Sequence, residues 1–381
     1  MGLFDRKKPA ELPVVQTEKH EPFPFHELNG YTPLKHQARL YKMLREAVPV
    51  IDAAIGKIIR LTGTFSVDCE DEELKRGLNE FLKNVGVGGV SKGIDAFIGS
   101  FLDQLLTYGT AVGEIVPNVN RDGIYALYVA SHDDVELRRG ANPLAVEVCR
   151  HDGVELIPVK FRDLILVSAL NPEPGEVTGT SLLKGLPFVS SVLLKIFHTV
   201  GLNWERVGNV RFAVTYKPSN DASEKAYTKE RVMQIAKEWS NAMRSSADGR
   251  VSDFVSVGDV SIRVIGADNQ IIDSEIPVKQ MLEQIVAKTG IPPFLLGLNW
   301  STTERMSKQQ CDILTSELEC YRRLLDPVIR RICSFWLSLN GRDDRFSVEW
   351  EDINLQDELD SARSRLIAAQ AQKLEREEEN A

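Results

Sequence analysis

The sequence predicts an α+β protein, and three observations carry that expectation. Residues 107–170 switch from helical spacing to short apolar runs separated by turn residues. Amphipathic helical patterns flank those runs on both sides. From about Thr303 to Leu339, Leu314, Leu318, Tyr321, Leu325, Val328, Ile332, Phe335 and Leu339 recur in alternating steps of four and three, a period near 3.5.

In chain order, residues 1–29 are polar and proline-rich without periodicity, and are expected to form a mobile arm. A helix follows Pro49, whose missing N–H is harmless in a first turn, with Ile51, Ile55, Ile58 and Ile59 on one face. A second runs from about Lys92 to Leu106 through Ile94, Phe97, Ile98, Phe101 and Leu105. The runs "AVGEIV", "GIYALYVA", "DVELRR", "LAVEVCR", "VELIPV" and "DLILVSA" then read as an antiparallel meander over 107–170, with Gly123 and Gly153 expected to serve its tight hairpins. A breaker-rich linker spans 171–179. Past Pro187, Val189, Leu193, Ile196, Val200, Trp204 and Val207 make one helical stripe. Alternation from Val210, a helix with Val232, Ile235, Trp239 and Met243, and the runs "DFVSVG" and "VSIRVIGA" predict a small β-α-β-β module at 208–267. A further helix from near Pro277 stops at Gly290, followed by "IPPFLLGLNWSTTER" and the longest helix, about 55 Å at 1.5 Å per residue. Pro327 lies inside it and predicts a kink between Arg323 and Pro327.

Composition narrows the function. The 381 residues, 43% hydrophobic and 27% charged, suffice for one large core or two to three modules of a soluble protein. No apolar run is expected to reach the roughly 18 residues of a membrane span, and no export signal is expected at the N-terminus. Five cysteines without CxxC pairing fit free thiols in a reducing compartment. Residues 342–381 hold 6 basic and 12 acidic residues, a net of −6, leaving −3 for the rest. That balance argues against tight, electrostatically driven nucleic-acid binding.

The candidate chemical motifs dissolve on inspection. "NVGVGGVSKG" (84–93) has its serine before its lysine, so it fails the phosphate-loop order and reads as a flexible turn ahead of a helix. Asp133-Asp134 after His132 has no second ligand cluster at metal spacing, and "RHDG" is a hairpin turn. HExxH, GxSxG and dinucleotide fingerprints are absent. Arg322-Arg323 and Arg330-Arg331 could touch phosphate, but such pairs more often meet carboxylates such as Glu317 and Glu319 or a neighbouring chain. No catalytic residue, cofactor or metal is expected.

The order of parts resembles the portal proteins of tailed bacteriophages. The resemblance spans roughly residues 38–350. It rests on "FLDQLLTYGTAVGEIV", on "GTSLLKGLPFVSSVLLKIF", which resembles the family's Gly-x-Ser-led helix, on "QIVAKTGIPPFLLG", similar to its Pro-Pro-x-x-Leu-Gly junction, and on the long helix with "LLDPVIRRI". The opening "MGLFDRKK" also resembles the family.

The resemblance implies a non-enzymatic, portal-like fold: a wing at 30–179, stem helices at 180–207 and 268–293, a clip at 208–267, and a tunnel loop at 294–306. A long kinked helix at 307–341 and an acidic C-terminal segment at 342–381 complete it. It implies a ring, usually of twelve subunits, in the virion's capsid vertex and in the host cytoplasm during assembly. Partners would be the terminase large subunit, the major capsid or scaffold protein and a head-tail adaptor, with no membrane. Double-stranded DNA would pass without sequence specificity. Leu298, Asn299, Trp300, Ser301 and Thr302 would face that DNA, and Pro292, Pro293 and Gly297 would hinge the loop. Pro327 would kink the helix, while Lys225, Lys229 and Glu230 would dock the motor. The rival readings are another oligomeric structural or adaptor protein of a phage particle, and a nuclease or NTPase. The absent phosphate loop and absent acidic metal cluster speak against the enzyme.

Overall fold

The computed structural model describes residues 37–140, 142, 145–152, 155–208, 211–217, 227, 229–230, 232–240, 259–265, 273–298, 303–342 and 345–353. The described residues up to Leu194 and from Val278 onward form one compact unit, and those within Lys195–Pro277 form a second.

The first unit is built on four helices: α1 (Gln37–Ala47), α2 (Pro49–Leu61), α3 (Glu72–Asn84) and α4 (Ile94–Tyr108). Pro49 opens α2 at its first turn, and Ile51, Ala54, Ile55 and Ile58 are buried. Asp71 caps α3, its carboxylate accepting the N–H groups of Glu73 and Leu74. Leu74, Leu78 and Leu82 then fall on one buried face. In α4, Phe97 and Phe101 are wholly buried and stack with centroids 5.6 Å apart.

The helices pack with a five-stranded sheet of order β3-β2-β5-β4-β9, made of β2 (Gly86–Val87), β3 (Ser91–Lys92), β4 (Thr110–Pro117), β5 (Ile124–Val129) and β9 (Ile165–Ala169). β4 lies close over α4: a Cβ added at Gly113 would sit 2.8 Å from the Phe97 ring. A separate three-stranded antiparallel sheet contains β6 (Val135–Arg139), β7 (Val146–Asp152) and β8 (Glu155–Pro158). The expected single antiparallel meander over 107–170 is thus two sheets, and β2 pairs with β5 in parallel. The alternation along each run identifies strands; it contains no information on which sheet a strand joins.

Two local expectations are corrected. Within 84–93, residues 86–92 form the β2–β3 hairpin ahead of α4, with Gly88 and Gly89 in the left-handed region at its turn. In the β4–β5 turn the left-handed position falls to Arg121 (φ 60°), rather than to Gly123. The Asn118 side chain holds that turn, accepting from Asp122 N at 3.0 Å and donating to the Asp122 carboxylate.

Two of the sequence motifs meet at one point. Gly109 ends α4 in the left-handed conformation (φ 83°), and a Cβ there would lie 2.6 Å from Gly179 O. A Cβ on Gly179 would lie 2.0 Å from Gly109 O. Only two glycines allow the backbones to cross this closely. The crossing is sewn by Leu170 N donating to Gly109 O (2.7 Å), Thr180 N to Leu170 O (2.6 Å) and Ser181 Oγ to Thr107 O (2.6 Å). The Gly-x-Ser sequence therefore anchors the chain against the end of α4 before α5 (Leu186–Gly208) begins.

α7 (Glu275–Thr289) and α8 (Glu304–Leu339) complete the helices of this unit. Leu314, Leu318, Tyr321, Leu325, Val328, Ile329, Ile332, Cys333 and Leu337 of α8 are buried. The helix is continuous through Pro327, which is exposed. Beyond it, β12 (Phe346–Trp350) pairs antiparallel with β1 (Phe65–Cys69), so the acidic segment begins with a strand of the first unit.

In the second unit, β10 (Arg211–Lys217) and β11 (Asp259–Ile265) pair antiparallel over seven residues, and residues 232–240 form a helix, α6. The expected strand "DFVSVG" lies outside the described residues.

Membrane-compatible length is a further correction. Leu186–Glu205 of α5 is long and apolar enough to cross a membrane by length and composition, despite the polar residues that interrupt it.

Candidate functional site

The site begins where α7 stops. Thr289 is buried and its Oγ1 donates back to Ile285 O at 2.9 Å. Gly290 follows with φ 70°, its N–H bonded to Val286 O. Ile291, Pro292 and Pro293 are all buried. Pro293–Leu296 form one 3-10 turn that packs against α2, and Gly297 closes it with φ 76°. Leu298 N donates to Pro293 O at 3.0 Å, and its side chain is half-buried. Asn299, Trp300, Ser301 and Thr302 lie outside the described residues.

Thr303 accepts from Met306 N through its Oγ1 at 3.3 Å and caps α8. Sequence reasoning passed over this cap, although Thr303 before a helical pattern is its ordinary signal. Met306 and Ile313 on the first turns of α8 are exposed. The junction is thus a 3-10 turn seated in the core and two left-handed glycines, followed by a short span to a capped helix. Pro292 and Pro293 are held in the core, while Gly297 stands exposed at the start of the span.

The rest of α8 is fixed by groups whose partners the sequence did not indicate. Arg322 is buried; its Nε donates to Thr62 O at 2.8 Å, and its guanidinium lies 4.9 Å from the Trp350 ring centroid. Burial lowers its pKa, against the nearby carboxylates of Glu319, Asp352 and Glu351. Arg330 bonds Asp326, Arg331 bonds Asp163, and Arg323 donates to Cys320 Sγ. The arginine pairs therefore bond within the chain, to groups other than the expected Glu317 and Glu319. Burial pushes the Tyr321 hydroxyl and the Cys333 thiol up to about 12 each, so both stay protonated at neutral pH.

The remaining sequence candidates are spread apart. Lys229 and Glu230 are exposed and helical, and Lys225 lies outside the described residues. His132 stacks on Tyr108 with centroids 4.6 Å apart, and burial lowers its pKa. A cavity of about 660 Å³ lies near this stack, lined by Arg45, Asp52, Asp103 and Tyr108 among others. Arg45 donates to both carboxylates and to Thr107, so these three charges of its wall are paired with one another.

No protein-family model matches the chain, and no curated protein matches it at a significant level. Solved structures do. A chain of the virion of a native gene transfer agent particle aligns over 92% of this chain and 94% of its own, with 14% identity and a TM-score of 0.63. Chains from the neck of the empty particle (computed with C6 symmetry) and of the native particle (C12 symmetry) each align over 89% of this chain and 90% of their own. Their identities are 17% and 16%, and their TM-scores 0.61 and 0.60. An HK97-family phage portal protein from Corynebacterium diphtheriae aligns over 84% of this chain and 96% of its own at 11% identity, with a TM-score of 0.41, a likeness too slight to build on. At these identities the likeness is one of fold. It is a fold shared with chains of the gene transfer agent virion and neck.

Proposed function

We propose that this protein forms a portal ring at a capsid vertex of a phage-like particle, through which double-stranded DNA enters and leaves. The observation that carries this reading is a fold shared with chains of a particle neck over about nine-tenths of this chain. A ring of twelve is favoured by the family resemblance of the motifs and is compatible with both symmetries of the neck reconstructions. The terminase large subunit, the capsid or scaffold protein and a head-tail adaptor would be its successive partners, in the host cytoplasm and then in the virion.

In this reading residues 298–302 form the loop that meets DNA. The core-seated prolines would fix its root, and Gly297 would let the chain leave. Leu298 and Trp300 would offer apolar contact without register-specific bonds to phosphate. An acidic protein, at formal charge −9 per copy, suits a wall along which DNA slides, because many Lys and Arg contacts would hold it through counterion release. The segment between α5 and α7, with Lys225, Lys229 and Glu230, would face the motor.

Negative-stain imaging of the purified protein tests the reading first: rings of one symmetry are expected, and a compact monomer at all concentrations and salts overturns it. Replacing Leu298, Asn299 and Trp300 with Gly and Ser should leave rings intact while lowering packaged DNA per particle. Asn299→Lys should add a phosphate contact per subunit and slow passage more at low salt than at high. Wild-type packaging in both variants would remove this loop from the DNA path.

A further inference from the structure

The β1–β12 ribbon has two edges, and among the described residues only one is closed. Glu351 N donates to Thr64 O at 3.0 Å, which sets the phase of the ladder. Thr64 with Glu351, Ser66 with Glu349 and Asp68 with Ser347 then exchange the ladder bonds, while the backbone groups of Val67 and Val348 point away from one another. On the β1 side, Asn79 of α3 takes both outward groups of Val67. Its Oδ1 accepts from Val67 N at 3.1 Å, and its Nδ2 donates to Val67 O at 2.7 Å. A side-chain amide thus stands where another strand would pair. On the β12 side, no strand or side chain among the described residues bonds the N–H or C=O of Val348.

The chemistry around that open edge selects its occupant. Phe346, Val348 and Trp350 turn half-buried side chains to the core, while Ser347 and Glu349 are exposed between them. A strand laid beside β12 would set alternate side chains next to these two rows. Its core-side row would be apolar and branched. Its outer row would stand beside Glu349, with Glu351 and Asp352 exposed just beyond. Cations lie at the other end of the strand and over its rings: Arg345 is exposed at the start of the outer row, and Arg330 and Arg322 sit over Phe346 and Trp350. Toward Glu349 and Glu351 the outer row is acidic, since Lys75 is occupied by Asp68 at 2.5 Å, and Asp95 is pushed up by burial and by Glu351. Edge-to-edge pairing of two copies would crowd like charges from both onto one face.

We propose that the free edge of β12 docks an extended segment of another protein in which β-branched and basic side chains alternate. This inference is independent of the ring reading, so a protein that forms no ring still tests it.

The test uses the full-length protein and a fluorescent (Val-Lys)4 peptide, read by anisotropy, beside (Gly-Lys)4 and (Val-Glu)4. Saturable binding of (Val-Lys)4, roughly tenfold tighter than of either control, is expected. Val348→Pro should abolish it, because proline removes the outward N–H and leaves the bonds to β1 in place. Glu349→Lys, a change on the exposed face, should reverse the preference toward (Val-Glu)4. It keeps the test open should Val348→Pro fail to fold. Equal binding of (Gly-Lys)4, undiminished binding to folded Val348→Pro, an unchanged preference in Glu349→Lys, or no saturable binding would each overturn the proposal.

Discussion

α4 and α5 are both apolar helices, yet their surroundings differ sharply. α4 buries eight of its 15 residues, with Phe97 and Phe101 wholly enclosed. α5 leaves Phe188 75%, Phe197 49% and Trp204 60% exposed. The first helix finds its partners within the chain, from α1, α2, α3 and β4. The second carries exposed aromatic surface, of the kind that subunit contacts cover in oligomers. The contrast separates residues that make the fold from residues free to make an assembly.

Perturbing the two helices and their junction sharpens this contrast. The largest effect is expected at the crossing that joins them. Gly179→Ala must push apart backbone held by several hydrogen bonds, and a loss of about 4 kcal/mol or more is expected, enough to abolish folding; soluble yield and thermal melting would show it. Phe101→Ala empties the core of the first unit and should cost about 3–5 kcal/mol in urea unfolding. Phe197→Ser on α5 should change the stability of an isolated subunit by less than about 0.5 kcal/mol, while light scattering shows weakened assembly. Equal unfolding costs at Phe101 and Phe197 would erase the distinction.

Asn79→Ala is a smaller break in the same dense region. It leaves Val67 N and O without their partner, and a loss of about 1–3 kcal/mol is expected in urea unfolding.

The smallest effect concerns pH. The Asp71 carboxylate accepts from Leu74 and Glu73, which lowers its pKa below the ordinary value. A depressed acid stabilises the fold above its unfolded pKa and loses that contribution as pH falls through the folded value. Asp71→Asn should flatten the stability profile at the acid end of this window, and a profile identical to that of the unmodified protein would refute the role.

These results also mark what a linear reading can contain. The positions of α4 and α8 were legible because each has enough turns to display a periodic apolar face. The break at Pro292-Pro293 was legible because proline acts locally. The pairing of β1 with β12 was not, since the two strands are separated by most of the chain and neither carries a mark of its partner. The Gly109–Gly179 contact was hidden in the same way: each glycine looked like a local turn, and only the fold shows that they make room for one another. At the β4–β5 turn, the expectation for Gly123 failed because the Asn118 side chain holds the turn with Arg121 in the left-handed position. Of the candidate loop, the proline break ahead of it was readable, while the 3-10 turn at Pro293–Leu296 and the helix start at Glu304 differ from the expected bounds of 294 and 307. Its role was not readable, because nothing in the residues of a short span names what the span touches.

The burial of the thiols has a practical consequence. Four of the five cysteines are buried, Cys333 so deeply that its pKa is pushed to about 12, and Cys320 alone is exposed. The thiolate is the form that reacts with alkylating dyes. The unmodified protein therefore offers a single accessible handle on α8, about two turns before Pro327 is reached. A fluorophore attached there would report on that helix at one position per polypeptide, with no cysteine first having to be removed.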